Sequence, residues 1–285
     1  MPFEPPVVSP ASLAEAYGLV AGSTHRPLAG GTDLLVQING EIGTPPERVL
    51  DLWRLDELRG IAVRDGALEI GALTTYTDIR LSAACREHAP SLVEAAATIG
   101  AAQIQNRGTI GGNVMNASPA GDTLPVLLAL DAELVAGSTS GERTIPAATF
   151  WPGYRQTAIR PDELLVRVRI PLVDGRQQRF RKVGTRRAQA ISKVAIALAW
   201  REESGSGAWR DVRVALGSVA ATPIRASATE TALEGAPPSE ATADRAVAAL
   251  RAELHPIDDV RSTAAYRREV AGRVLHRLLR DDGAW

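Results

Sequence analysis

Between residues 12 and 21 the apolar positions Leu13, Ala16, Tyr17 and Val20 recur at helical spacing, and Ser12 stands where a cap would, so "SLAEAYGLVA" is predicted to be a helix. The next apolar segment, "RPLAGGTDLLVQI", is entered through Pro and Gly, and Asp33 near its start suits a helix N-terminus. "IAVRDGALEIGA" (61–72) sets two short apolar runs around Asp65-Gly66, a hairpin signal. "TDIRLSAACREHAPSLVEAAATIG" predicts helices interrupted at Pro90, and "LPVLLALDAELV" a helix running into a strand. Leu164, Val166, Val168 and Ile170 alternate in "ELLVRVRIP" (163–171), as in a half-buried strand stopped by Pro171. "SKVAIALAWREE" and "WRDVRVALGSVA" are strand-like runs around the flexible tip "SGSGA". The end is helical. Val247, Leu250 and Leu254 recur before Pro256, and Tyr266, Val270, Val274 and Leu278 mark a final helix for which Ser262 is the expected cap.

This order of elements predicts an α+β chain with a larger N-terminal part and a smaller C-terminal one, divided near the polar stretch "VDGRQQRFRK" (173–182). Composition narrows the function classes. With 32 basic and 33 acidic residues the net charge is −1, which leaves no electrostatic footprint for nucleic acid or an anionic membrane. No apolar run approaches the roughly 20 residues of a membrane span. "MPFEPPVVSP" has neither a basic nor an apolar leader region, so a cytoplasmic protein is expected. The single cysteine, Cys85, excludes an intramolecular disulfide and any multi-cysteine cluster, and its helical setting suits an inert thiol. His25, His88, His255 and His276 are scattered, with no HExxH, CxxC or GxSxG, so neither a metal site nor usual hydrolase machinery is expected.

Two stretches carry candidate chemistry: "LAGGTDLL" (28–35) and "TIGGNVMNASPAGD" (109–122). Each joins a Gly-Gly pair to hydroxyl or amide residues. Neither has the Lys-Ser/Thr of a P-loop or the GxGxxG of a Rossmann turn. Together they could surround a diphosphate with backbone donors and the Thr32, Thr109 and Asn113 side chains, leaving Asp122 to accept from a ribityl or ribose hydroxyl. The alternative is a pair of tight turns with glycines at positive φ.

"LAGGTDLL", "NRGTIGGNVMNASPAGDTLPVLLALDAEL" and "FWPGYRQTAIRPDELLVRVRIP" resemble the FAD-binding subunit of the xanthine dehydrogenase (molybdenum hydroxylase) family. The C-terminal strands and "AYRREVAGRVLHRLL" are similar to that family's flavoprotein C-terminal domain, so the resemblance spans essentially the whole chain. It implies a two-part FAD-binding domain of the PCMH type over 1–175, with subdomains of about 1–57 and 58–175. A smaller α+β domain of antiparallel sheet and helices would follow over 176–285. It also implies that Pro27, Leu28, Ala29, Gly30, Gly31, Thr32, Asp33 and Leu34 wrap the pyrophosphate. Thr109, Ile110, Gly111, Gly112 and Asn113 would form the second clamp, with Ser118 close by. Asp122 matches the family's FAD-binding aspartate, Leu165 a residue packing at the flavin ring, and Lys182 a basic residue beside the flavin. Phe150, Trp151 and Tyr154 suit core packing as well as flavin contact. Arg107 suits a surface ion pair or a phosphate contact.

In such a family, substrate is oxidised at a molybdenum cofactor on a large partner subunit, and electrons cross two [2Fe–2S] clusters on a small partner. FAD on this subunit would take them and pass them to NAD⁺, a quinone, a carrier protein or oxygen, with no catalytic side chain required of this chain. A dimer of heterotrimers is the implied assembly. Purines, other N-heterocycles, aldehydes and carbon monoxide all remain open as substrates. The chain departs from the subgroup resembling 4-hydroxybenzoyl-CoA reductase, because Cys85 alone cannot hold an additional cluster. No His or Cys lies in either glycine loop, so FAD is expected to be non-covalent. Two further readings stay open: a standalone flavoenzyme resembling UDP-N-acetylenolpyruvoylglucosamine reductase, and a bridging subunit that has lost its flavin.

Overall fold

The computed structural model describes residues 4–22 and 24–281. It begins with three short parallel strands in which β1 (Val7–Val8) and β2 (His25–Leu28) flank β3 (Arg48–Asp51). The helix α1 (Leu13–Gly22) links the first two strands, and α2 (Leu34–Asn39) lies between the second and third. The Ser12 hydroxyl oxygen accepts from the Glu15 N–H, and Ala16 and Val20 bury the predicted stripe against Leu50, Leu52, Leu55 and Leu58. The second helix behaves differently. Asp33 occupies its N-cap without a capping side-chain bond, and none of its residues is buried.

A five-stranded antiparallel sheet comes next, in the order β4-β5-β8-β6-β7, from β4 (Ile61–Arg64), β5 (Ala67–Gly71), β6 (Glu133–Ser138), β7 (Gly141–Pro146) and β8 (Leu164–Pro171). The β4–β5 turn places both Asp65 (φ 47°) and Gly66 (φ 70°) in the left-handed region, as a two-residue hairpin loop demands. Between β5 and β6 run α3 (Tyr76–Leu81), α4 (Ala83–His88), α5 (Pro90–Thr98), α6 (Ala102–Gln105), α7 (Ile110–Asn116) and α8 (Thr123–Ala129), while α9 (Ala147–Phe150) follows β7. Pro90 opens α5 at a position where its missing N–H would have had no helical partner. Cys85 is fully buried in α4, where burial pushes its thiol up, away from the reactive thiolate.

The C-terminal sheet is antiparallel, ordered β12-β11-β10-β9, with β9 (Gln177–Val183), β10 (Val194–Glu202), β11 (Trp209–Gly217) and β12 (Ile224–Arg225). Three helices, α10 (Ser227–Leu233), α11 (Glu240–Glu253) and α12 (Ala264–Asp281), follow it. β10 is buried on both faces, and its two faces differ in size. Ala195, Ala197 and Ala199 join the core that contains the wholly buried α8, whereas Val194, Ile196, Leu198 and Trp200 join the core beneath the three helices. Alanines let the helix approach the sheet closely, while the large side chains fill the opposite layer, where Trp200 stacks on Trp209 at 4.4 Å.

The final helix corrects two expectations. Its capping hydroxyl is that of Thr263, which accepts from the Tyr266 N–H; Ser262 instead pairs with Asp259. Its buried face runs through Arg267, Ala271, Leu275, Leu278 and Leu279, with Val270 and Val274 packed against the same core, so that of the expected stripe only Tyr266 is left outside, 43% exposed. Arg267, a residue periodicity assigns to solvent, is buried beside it, its guanidinium donating to Asp259 at 2.7 Å and to the Ile257 carbonyl at 3.0 Å.

Two ion-pair clusters tie the N-terminal and C-terminal parts. Asp131, in the turn after α8, accepts from Arg213 at 3.1 Å and Arg225 at 3.2 Å. Deeper, Lys182 on β9 donates to Asp122 at 2.6 Å and to the Thr98 carbonyl at 3.0 Å, and the Ser192 hydroxyl donates to the other Asp122 oxygen. The Lys182 and Asp122 side chains are 9% and 6% exposed. Removing one charge of such a pair strands the other in the interior. Lys182→Met is therefore expected to lower unfolding stability by about 3–5 kcal/mol, and the double variant Lys182→Met/Asp122→Leu to recover much of it, as measured by urea unfolding.

Asp259 gives a pH signature. Bonds from Arg267 and from the Arg261 and Ser262 N–H groups hold its carboxyl at about 2, below its ordinary 3.8. A depressed carboxyl stabilises the fold above its unfolded value, and that stabilisation is lost as pH falls through the folded value. Asp259→Asn should thus lower the melting temperature at neutral pH, and the gap to wild type should close as both are titrated toward pH 2.

Candidate functional site

The two glycine loops meet across the N-terminal layers, and the meeting is set by backbone. The loop after β2 lies so close to the segment before α7 that a Cβ on Gly30 would stand 1.8 Å from the Arg107 carbonyl oxygen. The second loop is docked in turn on residues 72–76. Thr75 and Thr109 form an isolated bridge, Gly111 N–H donates to the Ala72 carbonyl at 2.9 Å, and Ile110 N–H donates to the Thr74 carbonyl at 3.1 Å. A Cβ on Gly111 would fall 2.6 Å from that same Ala72 oxygen. Gly31 has φ 79°. Three of the four glycines are therefore fixed by packing or conformation.

Gly112 is the exception. A Cβ there would meet only the Thr109 hydroxyl at 3.0 Å and the Ala29 methyl at 4.0 Å, so its face opens into the cleft between the loops. Pro27 to Leu34, Thr109, Gly111, Gly112, Asn113 and Leu165 all line that cleft. Ile110 is fully buried behind it. Ser118, Asp122 and Lys182 lie outside its lining, the latter two in the ion pair at the junction below. Burial pushes the Asp122 carboxyl up, and the Lys182 charge and the Lys182 and Ser192 hydrogen bonds pull it back down.

The loops divide the hydrogen-bonding work. Among the described residues, the N–H groups of Gly30, Gly31, Thr32 and Asp33 donate to no protein acceptor. Those at the start of α7 are used: Gly112 donates to the Thr109 hydroxyl oxygen at 3.0 Å and Asn113 to the Thr109 carbonyl at 3.1 Å. The first loop thus offers bare backbone donors. The second offers space at Gly112 and two side-chain donors: the Thr109 hydroxyl proton, and the Asn113 amide, whose oxygen already accepts from Thr123 at 2.6 Å. A backbone-donor set facing an open glycine is matched to an anionic oxygen ligand such as a diphosphate.

Residues beyond the sequence prediction complete the walls. Tyr76 and Glu163 both line the cleft. Thr75 and Asp78 form a capping box around the start of α3, a signal visible in "TTYTD", though it marks a helix start and says nothing of a ligand. Glu163 is gripped by Arg143 at 2.6 and 2.7 Å and by the Arg160 N–H at 2.7 Å, and the Arg143 bond holds its carboxyl below the ordinary range. That fixes the turn presenting Leu164 and Leu165 to the cleft. Phe150 and Trp151 are core residues, while Tyr154 is 61% exposed. Among the described residues Arg107 makes no ion pair; its guanidinium stacks 3.6 Å from the Trp53 ring centroid. A second, wider cavity adjoins the first, sharing Arg26, Leu34 and Gln37 and extending to Thr24, His25 and Pro161. Far from both, Glu240, Asp244 and His276 lie close enough to share an ion, but Arg280 already sits 3.7 Å from Glu240.

Comparison with known proteins gives this architecture its place. The FAD binding domain in molybdopterin dehydrogenase matches residues 1–173, and the CO dehydrogenase flavoprotein C-terminal domain matches residues 179–281. The glyceraldehyde dehydrogenase medium chain of Sulfolobus acidocaldarius is 34% identical over 91% of both chains. The nicotinate dehydrogenase FAD-subunit of Eubacterium barkeri is 32% identical over 96% of this chain and 94% of its own. A solved Cu,Mo-CO dehydrogenase superposes with a TM-score of 0.93 at 31% identity, covering 100% of this chain and 99% of that one. Carbon monoxide dehydrogenase from Hydrogenophaga pseudoflava gives 0.91 at 32% identity, over 97% and 96%. With both halves of the chain accounted for in order, the protein belongs to the FAD-binding medium subunits of the xanthine dehydrogenase and carbon monoxide dehydrogenase family.

Proposed function

We propose that the chain holds FAD non-covalently in the cleft between its two glycine loops and serves as the electron-transfer subunit of a molybdenum hydroxylase complex. The observation that carries the site is the pairing of the open face of Gly112 with the unpartnered N–H groups of Gly30 to Asp33. These donors, with Thr109 and Asn113, hold the diphosphate. Leu165 supplies an apolar wall for the ring. Asp122, outside the cleft lining but near enough to Tyr76 for its charge to act on that phenol, keeps lone pairs beyond those filled by Lys182 and Ser192 and is the proposed acceptor for a ribityl hydroxyl. FAD, when bound, supplies the ability to accept an electron pair and release it one or two electrons at a time. The chain's own residues bind, orient and shield; no side chain is asked for proton transfer. Electrons arrive from [2Fe–2S] clusters on a small partner subunit, after substrate oxidation at molybdenum on a large one, and leave to an external acceptor. The relatives' names, medium chain and FAD-subunit, fit a component of this kind.

The glycines allow a sharp test. Gly112→Val should stay folded, with a melting temperature near that of the flavin-free wild type, while its flavin absorbance per polypeptide falls to background. Gly30→Ala should lose stability along with flavin, because its Cβ collides with backbone. Full flavin in Gly112→Val would remove the diphosphate from this cleft. Separately, the tagged chain isolated from its host is expected to carry about one FAD, about four iron and about one molybdenum per polypeptide. FAD free of both metals would point to a standalone flavoenzyme.

A further inference from the structure

Tyr76 lies in the cleft wall with an unassigned polar group. Its side chain is 3% exposed, and it lines the cleft together with Gly30 to Asp33 and Gly111 to Asn113. Its ring is fixed from two sides. The Tyr76 N–H donates to the Gly108 carbonyl at 3.2 Å, and the ring edge packs so tightly on Gly108 that a Cβ there would fall 2.8 Å from Tyr76 Cε2. The start of α3, where it sits, is held by the reciprocal Thr75–Asp78 box. Yet among the described residues the phenol oxygen has no hydrogen-bond partner, and it is not one of the polar atoms sealed without a partner in the interior. A buried tyrosine ordinarily finds a partner for its hydroxyl, and packing alone would be served as well by phenylalanine. What remains is a locked ring in the cleft wall whose hydroxyl has no partner among the described residues.

We infer that the Tyr76 hydroxyl is a ligand-binding group, donating a hydrogen bond to an oxygen on the ribityl–diphosphate arm of the flavin. The inference rests on the cleft being the FAD site. The geometry favours the arm over the ring system, because Tyr76 stands beside the two glycine loops, where the polar donors gather. Burial pushes the phenol well above its ordinary value, and the charges of Asp33 and Asp122 push it further, so it stays protonated and available as a donor throughout the physiological range. The role is one of positioning and affinity, and it involves no transfer of the proton.

The test uses the full-length chain stripped of flavin and titrated by fluorescence with FAD, FMN, riboflavin and lumiflavin, alongside Tyr76→Phe. The expected result is about a three- to ten-fold weaker FAD dissociation constant in Tyr76→Phe, the loss of one net hydrogen bond, with the melting temperature of the flavin-free protein unchanged or slightly raised. If riboflavin shows the same factor, the oxygen is on the ribityl chain; if the factor appears only with FMN and FAD, it is on phosphate. Either supports the inference. Equal FAD affinity for both proteins would overturn it, leaving the hydroxyl to water alone. The full factor with lumiflavin, which lacks the arm, would overturn it in favour of the ring. A lowered flavin-free melting temperature with no specific affinity loss would make Tyr76 a packing residue. Failure of the wild-type apoprotein to take up FAD would instead refute the flavin site itself, an outcome separate from any difference between the two proteins.

Discussion

The cleft exists because two backbones touch where no side chain fits. Gly30 lies against the Arg107 carbonyl at a distance that excludes even a methyl group, and Gly111 lies the same way against Ala72. These contacts bring a loop from the parallel layer and a loop from the helical region into one wall. Everything else at the site follows from that approach. The bare donors of residues 30–33 come to line one opening with Gly112, Tyr76 and Leu165. In the first loop both glycines are already committed, Gly30 to contact and Gly31 to its positive φ. In the second loop the assignment is clean, with Gly111 spent on packing and Gly112 left facing the cleft.

The rest of the fold holds those two loops still. The second loop is pinned to residues 72–76 by a bridge and two backbone bonds, and those residues are pinned to β8 through the Ala72 N–H and the Val166 carbonyl. Below it, α8 is buried along its whole length between the helical region and the alanine face of β10. The Asp122–Lys182–Ser192 cluster lies at this seam, at the start of α8. A buried ion pair is a weak source of net stability, but it is intolerant of misplacement, since either charge alone is costly in the interior. It therefore fixes how the C-terminal sheet sits against the flavin-binding part, which a purely apolar seam would do less strictly.

Much of this was legible in the chain. The α1 stripe, the Asp65-Gly66 hairpin, the break at Pro90 and the alternating strand at 164–170 all reflect local rules that tertiary structure left in place. The two glycine loops could be picked out as candidate anion cradles that line one cleft, and their resemblance to a known family supplied the proposed ligand. Other features had no local signature. Nothing in "TTYTD" says that the tyrosine would line a cleft, because its neighbour Gly108 arrives from 32 residues along the chain. In the last helix, Val270, Val274 and Leu278 pack as the periodicity indicated, but Arg267 is buried on Asp259 and Tyr266 is not, because hydrophobic periodicity assigns an arginine to solvent. Arg107, for which an ion pair was one expectation, stacks on the Trp53 ring, a contact that spacing along the chain does not encode.

The least supported part of the fold is also the part that carries the donors. Residues 30–33 have N–H groups without protein partners, and the α2 helix that follows buries none of its side chains, leaving Leu35 at 45% and Val36 at 60% exposure. Such a segment is held mainly by its ends, where β2 enters and β3 leaves. Its free energy of local opening must then be small compared with that of the helical region, which is anchored by a continuous core. A ligand that supplies the missing acceptors binds only the ordered form and stabilises it by mass action. On the proposed site, flavin binding and the ordering of this loop are one equilibrium, because the diphosphate is the acceptor that the N–H groups of residues 30–33 lack within the protein.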